Sequence, residues 1–491
     1  MSAGNVAAVD LGATSGRVIV GHVGRDGVRT EQVARFPNGP VAIHEGDRAA
    51  LHWNVVELHR QVLGGLRSAV KQHHDLISVG IDSWAVDYGL LDGGRLLGLP
   101  YHYRDARHER GVATVHKRLS AHQLYARNGL QHLPFNTVFQ LAADPAVCAA
   151  DRALLIPDLL GYWLTGIEVA EHSNASTTGF LNANTQRWDP ALRAVAGLPS
   201  GLLPTLRAAG DPLGPMLGPV ADSIGAQVPV TLVGSHDTAS AVVAVPATTD
   251  HFAYISSGTW SLVGVELEAP VLSESAREAN CTNEGGVDGR VRFLKNVSGL
   301  WLLSESVRIW EAEDGSAVDL EALLTAAAAV TSVVPVFDVT DDSFAAPGDM
   351  PRRIAAWCVS HGSAVPSSRA EYTRSILESL AVAYAATLRT IIDVTGKDVH
   401  VVHVVGGGSQ NRLLCQLTAD RTGLPVLAGP VEATALGNVI VQARSAGLAG
   451  LGGASLDALR TVVARSAAPV RYTPSTGSHE QVGPITSRSL A

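Results

Sequence analysis

The chain has 491 residues, of which 46% are hydrophobic and 17% are charged, and its formal net charge is −9. This length and this balance predict a folded protein of two large domains and exclude a largely disordered one. Because the net charge is negative and no dense run of Lys or Arg occurs, we expect neither nucleic acid nor an anionic membrane as a partner.

The cysteines and the N-terminal segment indicate the cellular setting. Cys148, Cys281, Cys358 and Cys415 are scattered without metal-ligand spacing, so neither a disulfide framework nor a cysteine-based zinc site is indicated. The segment MSAGNVAAVDLG lacks the basic region of a secretory signal, and the longest apolar stretch is shorter than the ~20 residues that cross a bilayer. We therefore expect a cytoplasmic protein, and the pattern leaves open whether it is a monomer or a homodimer.

Two segments have the same pattern, a β-rich run, a short Gly/Ser/Thr turn and a second β-rich run. They are VAAVDLGATSGRVIVG at residues 6–21 and FAYISSGTWSLVGVE at residues 252–266. Each predicts a hairpin with a polar tip, and its recurrence about halfway along the chain predicts duplicated halves.

Strand and helix patterns alternate between and after the hairpins. Strands are predicted within residues 76–92 and 229–236, and helices within residues 54–72 and 372–394. Residues 398–423 predict a strand, three glycines and a helix. The alternation indicates an α/β protein. We predict an N-terminal domain of residues 1–247, a C-terminal domain of residues 248–470 and a loosely held tail of residues 471–491.

The tip of the first hairpin, DLGATSGR, combines side chains that suit a polyphosphate. Gly12 and Gly16 allow positive φ and a close approach of backbone N–H groups to phosphate oxygens, and Arg17 can form charge-assisted hydrogen bonds. The carboxylate of Asp10 could hold Mg²⁺. An ordinary polar hairpin remains the alternative, and the string is not a P-loop.

Three further clusters carry candidate chemistry, each beside a structural alternative. SSGT at residues 256–259 and GGGSQN at residues 406–411 could lie against a nucleotide, although a glycine triplet is also a common tight turn. In VGSHDTASAV, Asp237 stands where a strand gives way to a helix and could accept the proton of a reacting hydroxyl, or could cap the helix. His236 could bind a sugar hydroxyl or pack in the core.

Two more segments are ambiguous. GIDSWAVDYG at residues 80–89 predicts a strand with Asp82, Trp84 and Asp87 at its end, which suits a sugar but also a solvated edge strand. In LKNVSGLWLL, Asn296 could be a ligand or a helix cap.

Taken together, these residues resemble the FGGY carbohydrate kinases, and the resemblance runs over nearly the whole chain. It rests on the ordered strings VDLGATSGRV, GIDSWAVDYGLLD, LPYHYRDAR, GLQHLPFNTVFQL, LLIPDLLGYWLTG, SNASTTGFLN, VGSHDTASAV, YISSGTWSLVG, TNEGGVDGR, LKNVSGLWLL, HVVGGGSQN and AGPVEATALGN. The resemblance implies two duplicated actin-like, RNase H-like ATPase domains with an interdomain cleft. It also implies transfer of the γ-phosphoryl group of ATP to a ketose with the help of Mg²⁺.

The same resemblance implies roles for individual residues. Asp237 becomes the proton acceptor. The implied sugar contacts are Ala85, a strand position, with His236, Asp237, Thr238 and Asn296. The implied ATP contacts are Ala13, Thr14, Ser15, Gly16, Arg17, Thr259, Ser304 and Gly407, and Asp10 is the expected metal ligand.

The chain departs from the family pattern at two of these positions. Ala85 stands where the most similar members carry glycine, which adds a methyl group to the expected sugar pocket, and Ser304 stands in place of a glutamine. A kinase for another ketose therefore remains an alternative. A nucleotide-operated binding protein on the actin plan would not need an acid at residue 237. An inactive homologue would have lost Asp237 or the phosphate hairpin, and neither is lost.

Overall fold

The computed structural model describes residues 3–345 and 347–475. Its elements fall into two halves, residues 4–243 and residues 252–472. The strands of the first half are β1 Gly4–Leu11, β2 Ser15–Gly24, β3 Gly27–Pro37, β4 Pro40–Glu45, β5 Arg48–Trp53, β6 Leu76–Ser83, β7 Tyr88–Asp92, β8 Arg95–Leu96, β9 Arg152–Leu155, β10 Ala170–Glu171, β11 Leu181–Asn182, β12 Arg187–Trp188, β13 Leu206–Arg207, β14 Pro212–Pro215 and β15 Pro229–Thr231.

The helices of the first half are interspersed with its strands, and a 3₁₀ turn lies at Pro145–Ala149. They are α1 Val55–Gln72, α2 His108–His116, α3 Ala121–Asn128, α4 Thr137–Ala143, α5 Ile156–Thr165, α6 His172–Ala175, α7 Pro190–Ala196, α8 Gly218–Ile224 and α9 Asp237–Val243.

The second half has fewer strands and longer helices. Its strands are β16 Phe252–Ser257, β17 Trp260–Leu267, β18 Thr282–Gly285, β19 Val291–Ser298, β20 Val401–Val405, β21 Val426–Ala428 and β22 Val470–Tyr472. Its helices are α10 Glu274–Glu278, α11 Trp301–Asp314, α12 Leu320–Ala328, α13 Met350–Ser360, α14 Arg369–Thr395, α15 Arg412–Thr422, α16 Ala433–Ser445 and α17 Leu456–Ser466. Short 3₁₀ turns lie at Val287–Gly289, Asp342–Phe344, Gly407–Gln410 and Leu448–Gly450.

The two large sheets share one strand plan, which confirms the predicted α/β class and duplication. The first has the order β14-β15-β6-β1-β2-β3, and the second has the order β18-β19-β17-β16-β20-β21-β22. In each, the polar-tipped hairpin is antiparallel, β1 with β2 and β16 with β17. The first strand of each hairpin then pairs in parallel with a later strand, β1 with β6 and β16 with β20.

Local sequence explains the elements that were predicted well. Helix α1 begins after Asn54, whose side chain accepts a hydrogen bond from the Glu57 backbone N–H, as expected of an N-cap. Its buried residues, including Leu58, Val62 and Leu66, recur at helical spacing and pack on the first sheet. Helix α14 covers the predicted residues 372–394. It is the one helix in the described parts of the chain that is long and apolar enough to cross a membrane, and 67% of its most apolar window is buried inside the protein.

Three predicted elements differ from the structure. Residues 76–92 form two strands, because Val86 has a left-handed φ of 69° and breaks the run, so Ala85 lies in the bend between them and not in a strand. Asn296 is no helix cap, since it lies within β19 and α11 begins only at Trp301. The predicted tail begins too early, because β22 pairs with β21 in the second sheet. Residues 476–491 of that tail lie outside the described residues.

Two helices join the halves. The predicted boundary between residues 247 and 248 falls in the loop between α9 and β16. Helix α16 of the second half packs on the first sheet, where Val439 and Ile440 share one apolar cluster with Val6 and Ala8 of β1. Helix α16 also crosses α9 so closely that a Cβ on Gly437 would lie 1.8 Å from the Ser240 carbonyl oxygen. Glycine is therefore required at this crossing.

We expect Gly437→Ala to lower the free energy of unfolding by about 1 to 3 kcal/mol, because the added methyl group must push α16 away from the α9 backbone. The matched control is Gly64→Ala in α1, where a Cβ would have no neighbour within 4 Å. That change should raise stability by about 0.4 to 1 kcal/mol through helix propensity and a less flexible unfolded chain. Thermal melting of both variants checks the pair, and equal shifts would contradict the close crossing.

Candidate active site

A cavity of about 280 Å³ lies between the two halves and brings most of the predicted residues together. The first half contributes its hairpin tip, the bend after β6 and the start of α9. The second half contributes its own hairpin tip, β19 and the glycine turn after β20. The predicted residues that line the cavity are Asp10, Ala13, Thr14, Ser15, Arg17, Ala85, His236, Asp237, Thr238, Thr259, Asn296 and Gly407.

Two predicted residues, Gly16 and Ser304, do not line this cavity. Gly16 is buried in β2, and a Cβ there would lie 2.2 Å from the Phe36 ring, so it is small for packing. Neither Gly12 nor Gly16 has a positive φ, so the expected conformational reason for these glycines is wrong. Ser304 lies exposed on α11.

The three glycines at residues 406–408 have different surroundings. Gly406 has a φ of 83° and approaches the Ser257 carbonyl oxygen, while a Cβ on Gly408 would lie 2.0 Å from the Ser257 hydroxyl. Gly407 alone has no atom within 4 Å of its Cβ position, and it faces the cavity. Gly406 and Gly408 therefore pack the turn against Ser257, while Gly407 leaves its backbone accessible from the cleft.

Three carboxylates meet at the carboxyl ends of neighbouring strands in the first sheet. Asp10 at the end of β1 is the register partner of Asp82 at the end of β6. The Ser83 backbone N–H donates to the Ser235 carbonyl oxygen at 2.9 Å, and this contact brings the following Asp237 to the same edge. Ligand sites of parallel α/β sheets form at such an edge.

Burial places this acidic group under electrostatic strain. Desolvation raises the pKa of Asp10 to about 6, although the Arg17 guanidinium opposes the rise. Burial, followed by the charge of Asp10, raises the pKa of Asp82 well above its usual range. Asp82 Oδ2 accepts a hydrogen bond from Asn438 Nδ2 at 2.6 Å, but its Oδ1 has no partner within the described residues.

Arg17 provides the countercharge and links the two halves. Its Nη2 donates to Asp10 Oδ2 at 2.7 Å, and its Nη1 donates to Glu432 of the second half. In this state the guanidinium is therefore already engaged by two carboxylates, while part of it still faces the cavity.

Asp237 is the first residue of α9, and His236 precedes it as the N-cap residue. Asp237 Oδ1 accepts hydrogen bonds from the backbone N–H and the hydroxyl of Thr238, at 2.6 and 3.1 Å. No hydrogen bond to its Oδ2 occurs among the described residues, and its side chain is 31% exposed. One carboxylate oxygen is thus held by the helix start and the other is available to a ligand in the cavity.

His236 connects Asp237 to a buried ion pair of the second half. Its Nε2 lies 3.4 Å from Asp237 Oδ1, and its Nδ1 lies 3.0 Å from Arg292 Nη2 and 3.3 Å from Glu284 Oε2. Arg292 and Glu284 are 3.1 Å apart, with side chains 0% and 7% exposed. Although burial opposes the charged form of Glu284, the charge of Arg292 lowers its pKa. The imidazole is therefore fixed by contacts from both halves.

Asn296 is fixed by a residue of the other half. Its backbone N–H and its side-chain Nδ2 both donate to Gln131 Oε1, at 2.8 and 3.0 Å. Gln131 Nε2 donates back to the Asn296 carbonyl oxygen at 3.3 Å. Both residues line the cavity, so this wall is built across the two halves.

The aromatic cluster after β6 is only partly a ligand surface. Trp84 lines the cavity and packs on Trp53, with ring centroids 4.0 Å apart. Asp87 does not face the cavity, since it accepts hydrogen bonds from both tryptophan N–H groups, from Gln140 and from a backbone N–H. The suggestion that Asp87 pairs with a sugar is therefore wrong, and its buried carboxyl supports the aromatic side chains.

Sequence reasoning missed three residues of this site, Gln131, Glu284 and Arg292. Gln131 and Glu284 stand in the strings GLQHLPFNTVFQL and TNEGGVDGR, which carry the family resemblance, but no local pattern assigned either a role. Arg292 alternates with apolar residues along β19 and gives no signal of its own. Burying a charged side chain in an apolar strand is costly unless the charge is paired. The position of Arg292 in such a strand is therefore the one sign in the sequence that it has a partner.

Comparison with known proteins agrees with this arrangement. The model of the FGGY family of carbohydrate kinases, N-terminal domain, matches residues 6–244, and that of the C-terminal domain matches residues 253–446. The chain is 39% identical over 477 residues to the rhamnulokinase of Bacteroides thetaiotaomicron, covering 96% of each chain. It is 41% identical over 484 residues to that of Pectobacterium carotovorum, covering 96% of this chain and 94% of the relative.

Solved structures share the fold at low sequence identity. The gluconate kinase of Lactobacillus acidophilus superposes with a TM-score of 0.76 at 16% identity, covering 97% of this chain and 95% of that one. The xylulose kinase of Rhodospirillum rubrum gives a TM-score of 0.75 at 18% identity, covering 96% and 95%. The fold is thus the two-domain actin-like ATPase fold that the sequence predicted.

The raised pKa of Asp82 leads to a prediction about the stability of the protein. Because the pKa of Asp82 is raised in the fold, the native state binds a proton at a pH at which the unfolded chain remains ionised. The carboxylate therefore destabilises the native state at high pH, and this effect disappears as the pH falls through the folded-state pKa. We expect Asp82→Asn to raise the melting temperature of the protein without ligands at pH 8 and to raise it less at pH 5.

Melting curves at both values check this expectation, with Asp92→Asn, an exposed carboxylate at the end of β7, as the control. The control should melt like the parent chain at both pH values. A lower melting temperature for Asp82→Asn at pH 8 would mean that the charged form is stabilised and would contradict the prediction.

Proposed function

This chain belongs to the FGGY family of carbohydrate kinases, and we propose that it transfers the γ-phosphoryl group of ATP to the 1-hydroxyl of L-rhamnulose. The products would be L-rhamnulose 1-phosphate and ADP, in a step of L-rhamnose breakdown. The choice of L-rhamnulose rests on the similar proteins, which are named rhamnulokinases. Rhamnulokinases are about 40% identical over 96% or more of the chain, as in Klebsiella pneumoniae.

Asp237 is the proposed proton acceptor. Phosphoryl transfer to a hydroxyl needs a group that takes its proton as the new O–P bond forms, and most of the barrier is otherwise lowered by positioning and charge stabilisation. Asp237 lines the cavity, and the contacts of its Oδ1 with Thr238 and His236 hold the carboxylate in place while no hydrogen bond to its Oδ2 occurs among the described residues. Both features support this role.

The sugar and the nucleotide would lie side by side in the cleft, each in contact with both halves. We assign the sugar to Ala85, His236, Thr238 and Asn296, with the aromatic wall at Trp84 beside them. We assign the ATP phosphates to the first hairpin tip, with Thr259 and Gly407 as further contacts on the second half. Closure of the two halves would exclude water that competes with the sugar as acceptor.

Mg²⁺ suits the carboxylates near the first hairpin. Asp10 and Asp82 are buried side by side with raised pKa values, and Asp82 Oδ1 lacks a partner within the described residues, so a cation would relieve an existing excess of negative charge. Hard oxygen ligands are those that Mg²⁺ prefers. Asp10 would hold the ion, directly or through water, and the ion would neutralise charge on the phosphates. Ser304 is exposed and stands outside the cavity, so we assign it no nucleotide contact on this geometry.

The direct test is ADP release by the purified chain with MgATP and a panel of sugars that includes L-rhamnulose, L-fuculose and other ketoses. We expect the highest kcat/KM for L-rhamnulose, with the phosphate on C1 of the product by ³¹P NMR. A clear preference for another ketose would contradict the assignment of L-rhamnulose but would still support a sugar kinase. Release of ADP at one rate with and without sugar would instead favour a nucleotide-operated binding protein.

We expect Asp237→Asn to lower kcat by ~10² to 10⁴, or about 3 to 5 kcal/mol of barrier, because the amide keeps the shape but cannot accept the proton. Steady-state kinetics with L-rhamnulose measures the change, and melting should be nearly unchanged. The control is Asp250→Asn in the exposed loop between the halves. A Asp237→Asn variant with more than about a third of the parent kcat would exclude the residue as the base.

We expect Ala85→Gly to change the ratio of kcat/KM between L-rhamnulose and a rival ketose by up to ~10-fold, because one methyl group is removed from the cavity wall. The KM for ATP should stay constant. Ala13→Gly in the phosphate hairpin is the matched control and should leave the sugar ratio unchanged. Equal ratios in the parent and Ala85→Gly would show that Ala85 does not contact the sugar.

A further inference from the structure

A second group of polar side chains lies on the first sheet, apart from the cleft. In the register of β1, β2 and β3, Asn5 is opposite His22, and Glu31 is opposite Val20, two residues from His22. Side chains two residues apart on a strand share a face, so Asn5, His22 and Glu31 point to the same side of the sheet. His73, which ends α1, comes down onto that side. None of these four residues lines the cleft cavity.

Three of these side chains present ligand atoms at metal-binding spacing. Glu31 Oε2 lies 3.2 Å from His22 Nε2 and 3.5 Å from His73 Nε2, and all three atoms lie within 4.8 Å of one another. The two imidazole rings meet edge to face, with centroids 4.9 Å apart. Bonds of about 2.0 Å to a tetrahedral Zn²⁺ place its ligand atoms about 3.3 Å apart, which is close to both distances from Glu31 Oε2.

The orientation of His22 is fixed by a chain of hydrogen bonds. Asn5 Nδ2 donates to Asp75 Oδ1 at 2.8 Å, which turns the amide oxygen of Asn5 toward His22. His22 Nδ1 lies 2.7 Å from that oxygen and must donate to it. The lone pair of a neutral His22 is then on Nε2, which faces the carboxylate of Glu31. Metal-binding histidines are commonly held by such a bond on the other ring nitrogen.

His22 Nε2 and Glu31 Oε2 are both hydrogen-bond acceptors in this arrangement, and at 3.2 Å they need a proton or a metal ion between them. His73 Nε2 adds a third unsatisfied atom, because it is buried and has no hydrogen-bond partner within the described residues. Arg29 is the other nearby cation, but its Nη1 lies 3.9 Å from Glu31 Oε2 and its side chain is 71% exposed. The ion pair between Arg29 and Glu31 is therefore long and exposed to solvent.

We propose that His22, Glu31 and His73 bind a divalent transition-metal ion of the Zn²⁺ class, with water as the fourth ligand. Two imidazole nitrogens and one carboxylate oxygen form a ligand set that Zn²⁺ accepts. The ion joins β2 and β3 to the end of α1 and so stabilises the first half. Binding needs no covalent chemistry and no occupant of the cleft, so it stands or fails independently of the kinase reaction.

A second histidine group provides a control. His251, Asp398 and His400 also place ligand atoms together, but their side chains are 49%, 64% and 64% exposed, and among the described residues no hydrogen bond of the kind from Asn5 orients either ring. We expect this exposed group to bind metal weakly.

The test is calorimetric titration of the full chain, freed of metal by a chelator, with ZnCl₂. We expect one tight equivalent per chain in the parent and in a double variant, His251→Ala with His400→Ala. The tight equivalent should be lost in Glu31→Gln and in His73→Ala. Asn5→Ala should weaken it by ~10 to 100-fold, because the orienting bond is removed while all three ligands remain.

Thermal melting gives a second readout. Saturating Zn²⁺ should raise the melting temperature of the parent chain by about 2 to 6 °C and leave that of Glu31→Gln unchanged. Glu31→Gln keeps the shape of a part-exposed side chain, so it tests the site even if His73→Ala fails to fold. Absence of tight binding to the parent would overturn the proposal, and so would tight binding that survives Glu31→Gln but is lost in the His251 and His400 double variant.

Discussion

The arrangement of the whole molecule depends on the close crossing of α9 and α16. Helix α9 follows β15 of the first half, and α16 follows β21 of the second half. At Gly437 the two helix backbones are so close that any side chain larger than hydrogen would clash with Ser240. Since α16 packs at the same time on β1 and β6, the second half is held against the carboxyl edge of the first sheet. That edge carries the acidic residues, so the packing of these helices also places the second half beside the acidic group of the site.

The buried acidic group shows what this packing costs. Asn438 of α16 satisfies one oxygen of Asp82, and Glu432, just before α16, shares Arg17 with Asp10. Yet burial still raises the pKa values of both aspartates, so these contacts do not fully offset the cost of burying two carboxylates side by side. Active sites commonly store such strain, which a bound cation can relieve.

The part of the cleft that we assign to the sugar is also built by both halves. His236 of the first half meets Glu284 and Arg292 of the second, and Gln131 of the first half holds Asn296 of the second. A change in the separation of the halves would therefore alter both pairs together. This coupling gives a physical basis by which cleft closure and the orientation of the site residues could depend on each other.

Most local elements, the duplication and the place of Asp237 at the start of a helix could be predicted from sequence patterns, because hairpin tips, helix caps and strand-to-helix junctions depend on short runs of residues. Most of the residues that the family resemblance assigned to the site do line the cleft. The partners of those residues could not be predicted, because they depend on how distant parts of the chain pack together. Asp82 and Asn438 are 356 positions apart, and Gln131 and Asn296 are 165 apart, so no local pattern relates them. Only the tertiary structure decided that Gly16 packs against Phe36 and that Asp87 supports tryptophans, since both depend on which side chains the fold brings within contact distance.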